Sequence, residues 1–301
     1  MRYYLLLFIK GMAIGIANII PGVSGGTIAL ITKIYEKLIY SIKSFDIKAL
    51  KLLISFDFRG FIKYTNLYFL LAILGGSVAS VFSIANFFKL LFTNYQILIW
   101  AFFFGLILAS VYFVGKQIKK WSSLNIIALI IGTIMAISLS FITPATENSN
   151  LFFVFICGIV GISGMLLPGL SGSFILILLG NYELLMVTAV TELNYLLLTV
   201  FLVGSVVGLL SFSHALAWAL KHYKDTILAL LTGFILGSLN IIWPWKEITK
   251  SMIIDGEEKI LAYHWYFPNI AEQNTLIAFA LIIFGIVVVW ALESFSSKKT
   301  V

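Results

Sequence analysis

Six stretches of the chain, residues 67–90, 95–115, 123–142, 196–220, 226–244 and 275–293, are apolar over about the 20 residues that a helix needs to cross ~30 Å of hydrocarbon. In lipid every backbone N–H and C=O must be paired internally, so such runs fold as membrane helices. The composition agrees. Of 301 residues 61% are hydrophobic and 11% charged, against about 45–50% and about 25% in soluble domains. One cysteine and three histidines give neither a disulfide framework nor a metal site. The P-loop and H-E-x-x-H patterns are absent. Neither ATP hydrolysis, covalent catalysis nor a cofactor is therefore expected, and no feature points to nucleic acid.

Four apolar arms are too short to cross: 5–20 and 27–40, then 151–167 and 174–190. Each pair is joined by a Pro-Gly and a Ser-Gly, "NIIPGVSGGT" from Asn18 and "MLLPGLSGSF" from Met165. Short arms joined in this way predict two re-entrant helical hairpins, 5–40 and 151–190. The N-terminal run is read as the first arm and not as a cleaved signal peptide, because Lys10 interrupts it.

Basic residues set the orientation, since cytoplasmic loops carry the excess of Lys and Arg. Arg2 and the cluster Lys33, Lys37, Lys43, Lys48, Lys51, Arg59 and Lys63 bracket the first hairpin, which thus enters and leaves from the cytoplasm. The segment "TPATENSN" and the exit of the second hairpin, with Glu183 and Glu192, lack Lys and Arg, so that hairpin opens outward. Lys298 and Lys299 put the C-terminus inside with the N-terminus. Within the connector 42–63, Lys48, Lys51, Ser55 and Arg59 recur at helical spacing opposite Phe45, Ala49, Leu52 and Phe56. That pattern suits either a helix on the leaflet surface or a solvated connector.

The chain repeats. When Pro21 is set on Pro168, Gly11 meets Gly158, Gly22 meets Gly169, Ser24 meets Ser171, Gly25 meets Gly172 and Tyr35-Glu36 meets Tyr182-Glu183. Farther on, Gly76 meets Gly204, Tyr95 meets Tyr223 and Gly105 meets Gly233. Each half, 1–142 and 151–293, reads as one hairpin plus three spans. Three is odd, so the halves insert with opposite orientation. This inverted-topology repeat in an all-α membrane protein is an architecture of secondary transporters.

The motif has its own chemistry. Pro21 and Gly22, like Pro168 and Gly169, end one helix, and a new one begins at Ser24 or Ser171. Its first N–H groups have no intrahelical acceptor, and its dipole favours an anion. Ser24, Gly25, Gly26 and Thr27, with Ser171, Gly172 and Ser173, would then form an anion site near the midplane. Two tips that merely cap each other, with Ser as N-cap, are the simpler alternative. The second motif has Ser173 and Phe174 where the first has Gly26 and Thr27, which predicts a poorer cradle. Glu36 and Glu183 are candidate proton- or ion-coupling carboxylates or else interfacial groups, and Tyr35 and Tyr182 read as interfacial anchors. Asn18, Asn86 and His214 are candidate cavity-lining residues, with an interhelical hydrogen bond as the alternative for Asn86 and His214.

"GMAIGIANIIPGVSGGTIALITKIYEKLI" and "GISGMLLPGLSGSFILILLGNYELL" resemble the two signature stretches of a prokaryotic membrane family associated with polyprenyl-phosphate translocation. The resemblance implies a bacterial cytoplasmic-membrane protein that returns undecaprenyl phosphate, the lipid carrier of cell-wall synthesis, from the outer to the cytoplasmic leaflet. Lipid substrate, surrounding lipids and a coupling proton or sodium ion are its implied partners. The residues alone leave a second reading open, a transporter or channel for a small soluble anion.

Overall fold

The computed structural model describes residues 2–19, 24–142, 144–254, 257–269 and 273–297. Pro21, Gly22, Lys298 and Lys299 lie outside the described residues, as does the side chain of Asn86. In chain order the elements are α1 (Arg2–Ile19), α2 (Gly25–Ile31), α3 (Tyr35–Lys43), α4 (Ile47–Ile54), α5 (Phe58–Thr65), α6 (Leu67–Gly115), α7 (Ser123–Leu139), α8 (Leu151–Leu166) and α9 (Gly172–Leu178). A π-helical turn (Leu184–Thr188) and α10 (Ala189–Thr191) lead to α11 (Tyr195–His222) and α12 (Lys224–Ile242). The antiparallel strands β1 (Lys246–Ile254) and β2 (Glu257–Trp265) then precede α13 (Gln273–Ser297).

Among the described residues four stretches, Asn94–Gly115, Tyr195–His222, Lys224–Ile242 and Asn274–Ser294, are long and apolar enough to cross a bilayer. Helix α5 and the first part of α6 make a fifth if their 63° bend is counted within one span. Phe82, Ile134, Leu202 and Ile283 are all more than half exposed. Outward apolar side chains in such number suit lipid as solvent and mark a multi-pass helical membrane protein.

Small residues decide which helices touch. A methyl placed on Gly11 of α1 would lie 2.2 Å from the Ile73 carbonyl of α6, and one on Gly204 of α11 2.2 Å from the Phe155 carbonyl of α8. The other two seams are Gly105 of α6 against Ile282 of α13, and Gly233 of α12 against Leu129 of α7. Backbones approach this closely only where no side chain intervenes.

The backbone conformation recurs at positions that the sequence pairs. Ser24 has φ −109° and ψ 133°, Ser171 φ −113° and ψ 131°. Tyr95 has φ −138° and ψ 40°, Tyr223 φ −133° and ψ 45°. Lys33 and Gly180 both break the second arm of their motif with positive φ, 58° and 75°.

Three details differ from the sequence-based expectation. The second arms are not single helices, since Lys33 and Gly180 divide them. Residues 67–90 and 95–115, by contrast, lie within α6 as two helical parts on either side of a kink at Tyr95, whose φ and ψ are not helical. The connector stripe is broken between Ile54 and Phe58, where Ser55 closes α4 and Asp57 caps α5 through the Gly60 amide. The all-α expectation missed the strand pair, whose polar residues "KEITK" and "EEK" lie between two spans.

Charged groups gather the loops at one end of the molecule. Lys33 pairs with Glu293 at 2.9 Å and Lys224 with Glu36 at 2.6 Å. Lys37 donates to the Tyr3 hydroxyl, and the Lys120 amide to Asp225. The opposite end holds the Tyr95 bend, the strand pair and an aromatic group in which Trp243 packs on Phe104 and Trp245 on Phe279.

Candidate functional site

Between these ends the two interrupted helices meet. Ser24 adopts the extended conformation of an N-cap, and its Oγ accepts the Gly26 amide at 3.1 Å. The Gly25 amide donates to Asn18 Oδ1 at 2.8 Å, and the Thr27 amide to the Ser24 carbonyl. The first amides of α2 are therefore occupied by the protein itself. At its other end Lys10 Nζ donates to the Thr32 carbonyl at 2.7 Å, a cation on the negative pole of the helix.

Helix α8 ends at Leu166, the Leu167 amide reaches back to Gly164, and Gly169 takes a left-handed φ of +82°. A side chain at Gly169 would also strike the backbone of Phe234 on α12, 2.6 Å from a Cβ. Ser171 stands at the N-cap of α9, but its hydroxyl lies 2.7 Å from that of Ser173 and not on an amide. Among the described residues the amides of Gly172, Ser173 and Phe174 donate to no protein acceptor. The first amides of α9 are thus open where those of α2 are occupied. Asn18, which aligns with Met165, supplies at the first tip an acceptor that the second lacks.

Among the described residues three hydrogen bonds join the tips. The Ser24 hydroxyl donates to the Leu167 carbonyl at 3.1 Å, the Gly169 amide to Thr27 Oγ1 at 3.1 Å, and the Tyr35 hydroxyl to the Leu166 carbonyl at 2.9 Å. The unwound backbone of the second tip is thereby satisfied by side chains of the first. Ser24, Thr27, Tyr35 and Ser171 are all buried. A methyl on Gly26 would come within 3.3 Å of the Pro168 nitrogen, so this glycine permits the tips to touch.

The remaining candidates separate. Glu36 pairs with Lys224 at the charged end, whereas Glu183 is half-buried at the start of the π-helical turn. Tyr182 is part-exposed, as an interfacial anchor would be, but Tyr35 is buried and belongs to the tip contact. His214 bonds through Nδ1 to the Leu210 carbonyl of its own helix, and lines a cavity of about 590 Å³ with Asp46 and Lys48 of the connector. Asn18 accepts the Gly25 amide at the start of α2. Among the described residues no group of His, Cys, Asp and Glu could hold a metal ion.

Comparison with known proteins places this geometry in context. The model of the undecaprenyl phosphate translocase-like family matches residues 14–260, which include both tips. A polyprenyl-phosphate transporter of Vibrio cholerae is 37% identical over 98% of this chain and 98% of its own. A polyprenyl-phosphate transporter of Staphylococcus aureus is 31% identical over 78% of this chain and 85% of its own. No solved structure matches the chain. Similarity over nearly the whole length, carried through both interrupted helices, makes this chain a member of the undecaprenyl phosphate translocase-like family.

Proposed function

We propose that the protein moves undecaprenyl phosphate from the outer to the cytoplasmic leaflet of a bacterial cytoplasmic membrane, so that the carrier is reused in envelope synthesis. The observation that carries this reading is the buried junction in which Ser24 and Thr27 hold Leu167 and Gly169. A phosphate that parts the tips finds the donors of both: the hydroxyls of Ser24, Thr27, Ser171 and Ser173, the Gly169 amide and the first amides of α9. Moving a charge of about −1.5 to −2 through hydrocarbon requires such a preformed donor set. The polyprenyl chain stays in lipid while the head crosses between the halves.

Two re-entrant hairpins in an inverted repeat would let the junction face either side in turn. The matched backbone at Ser24 and Ser171 and at Tyr95 and Tyr223 supports that repeat. So does the exchange of partners, in which α6 of the first half packs on α13 and α12 of the second on α7. The charged end, with the N-terminus and the 33–63 cluster, is assigned to the cytoplasm. Glu36 and Glu183, on separate elements, are proposed to couple the cycle to a proton or sodium gradient.

The test uses purified protein in liposomes with labelled undecaprenyl phosphate. Protein-dependent leaflet exchange is expected, and exchange should fall at least tenfold in Ser24→Ala/Ser171→Ala. No exchange under any ion gradient would refute the function, and normal exchange by the double variant would refute the tip site.

A further inference from the structure

The charged end also carries a cavity of about 400 Å³, lined by Tyr3 of α1, Lys37 of α3, Arg59 and Lys63 of α5, and Tyr68 and Phe69 of α6 among others. No carboxylate lines it, and among the described residues none of its three cations takes part in an ion pair. Like charges around one space repel, and an anion between them removes that cost. Neutral groups position Lys37: its Nζ donates to the Tyr3 hydroxyl at 3.0 Å and lies 4.7 Å from the centre of the Phe69 ring. Arg59 and Lys63 stand one turn apart on α5 and face the same way. Helix α5 precedes the 63° bend into α6 and is flanked by exposed Ile54, Phe56 and Phe58, as suits a helix at the level of lipid headgroups.

We propose that this cavity binds the phosphate monoester head of a lipid, at a second site separate from the hairpin tips. A guanidinium and two ammonium groups match a group with three terminal oxygens and a charge of about −1.5 to −2 better than a singly charged phosphodiester. The tyrosine rings offer an apolar wall to the first carbons of the chain. The proposal rests on the transport reading for its purpose, a place on the cytoplasmic side where the head is held after leaving the tips.

Binding of farnesyl phosphate to the detergent-solubilised full-length protein tests it, in a Ser24→Ala/Ser171→Ala background that weakens the tips. Adding Arg59→Gln/Lys63→Gln should raise Kd at least tenfold, whereas Lys63→Arg should keep it within about twofold, with folding checked by thermal melting. Phosphatidylglycerol and inorganic phosphate should each bind at least tenfold more weakly. Unchanged binding after Arg59→Gln/Lys63→Gln overturns the site. Equal binding of phosphatidylglycerol overturns the monoester assignment, and equal binding of inorganic phosphate overturns the lipid. Wild-type protein that binds farnesyl phosphate through Arg59 and Lys63, yet moves no lipid between leaflets, refutes transport and leaves the site standing.

Discussion

Tyr35 and Leu166 belong to different halves of the chain, yet the Tyr35 hydroxyl donates to the Leu166 carbonyl over 2.9 Å where both residues are buried. Leu166 is the last residue of α8, so this carbonyl is one of the helix-end acceptors without an intrahelical donor. Tyr35→Phe keeps the ring and removes the donor. It should destabilise the protein by about 1–3 kcal/mol, the cost of a buried group left unpaired, read as a lower unfolding midpoint in detergent. An unchanged midpoint would mean that water or another donor replaces the hydroxyl.

Gly169→Ala is expected to be more damaging. Its left-handed backbone costs an alanine roughly 1–2 kcal/mol, and the added methyl meets the Phe234 backbone. A loss of at least about 2 kcal/mol, or failure to recover folded protein by size exclusion, is the expected result. Gly75→Ala, where the nearest atom is 3.8 Å from the new methyl, should stay within about 0.5 kcal/mol of wild type.

The Glu36–Lys224 pair separates a structural from a coupling role. Both side chains are well exposed, so breaking the pair should cost less than about 1 kcal/mol. Glu36→Gln that keeps its melting temperature but loses the response of leaflet exchange to a pH gradient supports coupling. Exchange with an unaltered response would show that this carboxylate only ties α3 to α12.

Acid should loosen the connector. Burial tends to raise the Asp46 pKa, but the Tyr64 hydroxyl at 2.7 Å, the Ala49 and Lys48 amides and nearby His214 together hold it below the ordinary 3.8. A carboxylate depressed in the folded state adds stability above its unfolded value and loses it as pH falls through the folded one. The stability advantage of wild type over Asp46→Asn should therefore be full near about pH 5 and shrink below about pH 4. A constant difference across that range would exclude the linkage.

Sidedness can be read with one thiol. Lys48 is exposed and Cys157 fully buried. Lys48→Cys in a Cys157→Ala background should react with an impermeant maleimide only from the cytoplasmic side. Labelling from outside would invert the proposed orientation.

Much of this architecture is written locally. The apolar runs predict the long helices because length and hydropathy suffice for crossing, and Ser24 and Ser171 announce N-caps because a hydroxyl before a new helix has few other uses. What could not be read depends on neighbours far along the chain. Nothing near Lys33 shows that a lysine will take a left-handed turn there. Nothing near Tyr35 reveals the carbonyl it serves. The occupied amides of α2 follow from Asn18, whose alignment with Met165 is visible but whose acceptor role needs the folded turn. The strand pair escaped because polar strands between spans lack the hydropathy pattern that exposes membrane segments.

The pairing of α6 with α13 through Gly105 and Ile282 bears on biogenesis. The face of α6 that carries Gly105 is complete only when the last helix has left the ribosome. Until then the early helices wait in the membrane with one side covered by lipid or by the insertion machinery. Chains cut short after α12 should therefore be cleared by membrane proteases, and the final helix acts as the latch on synthesis.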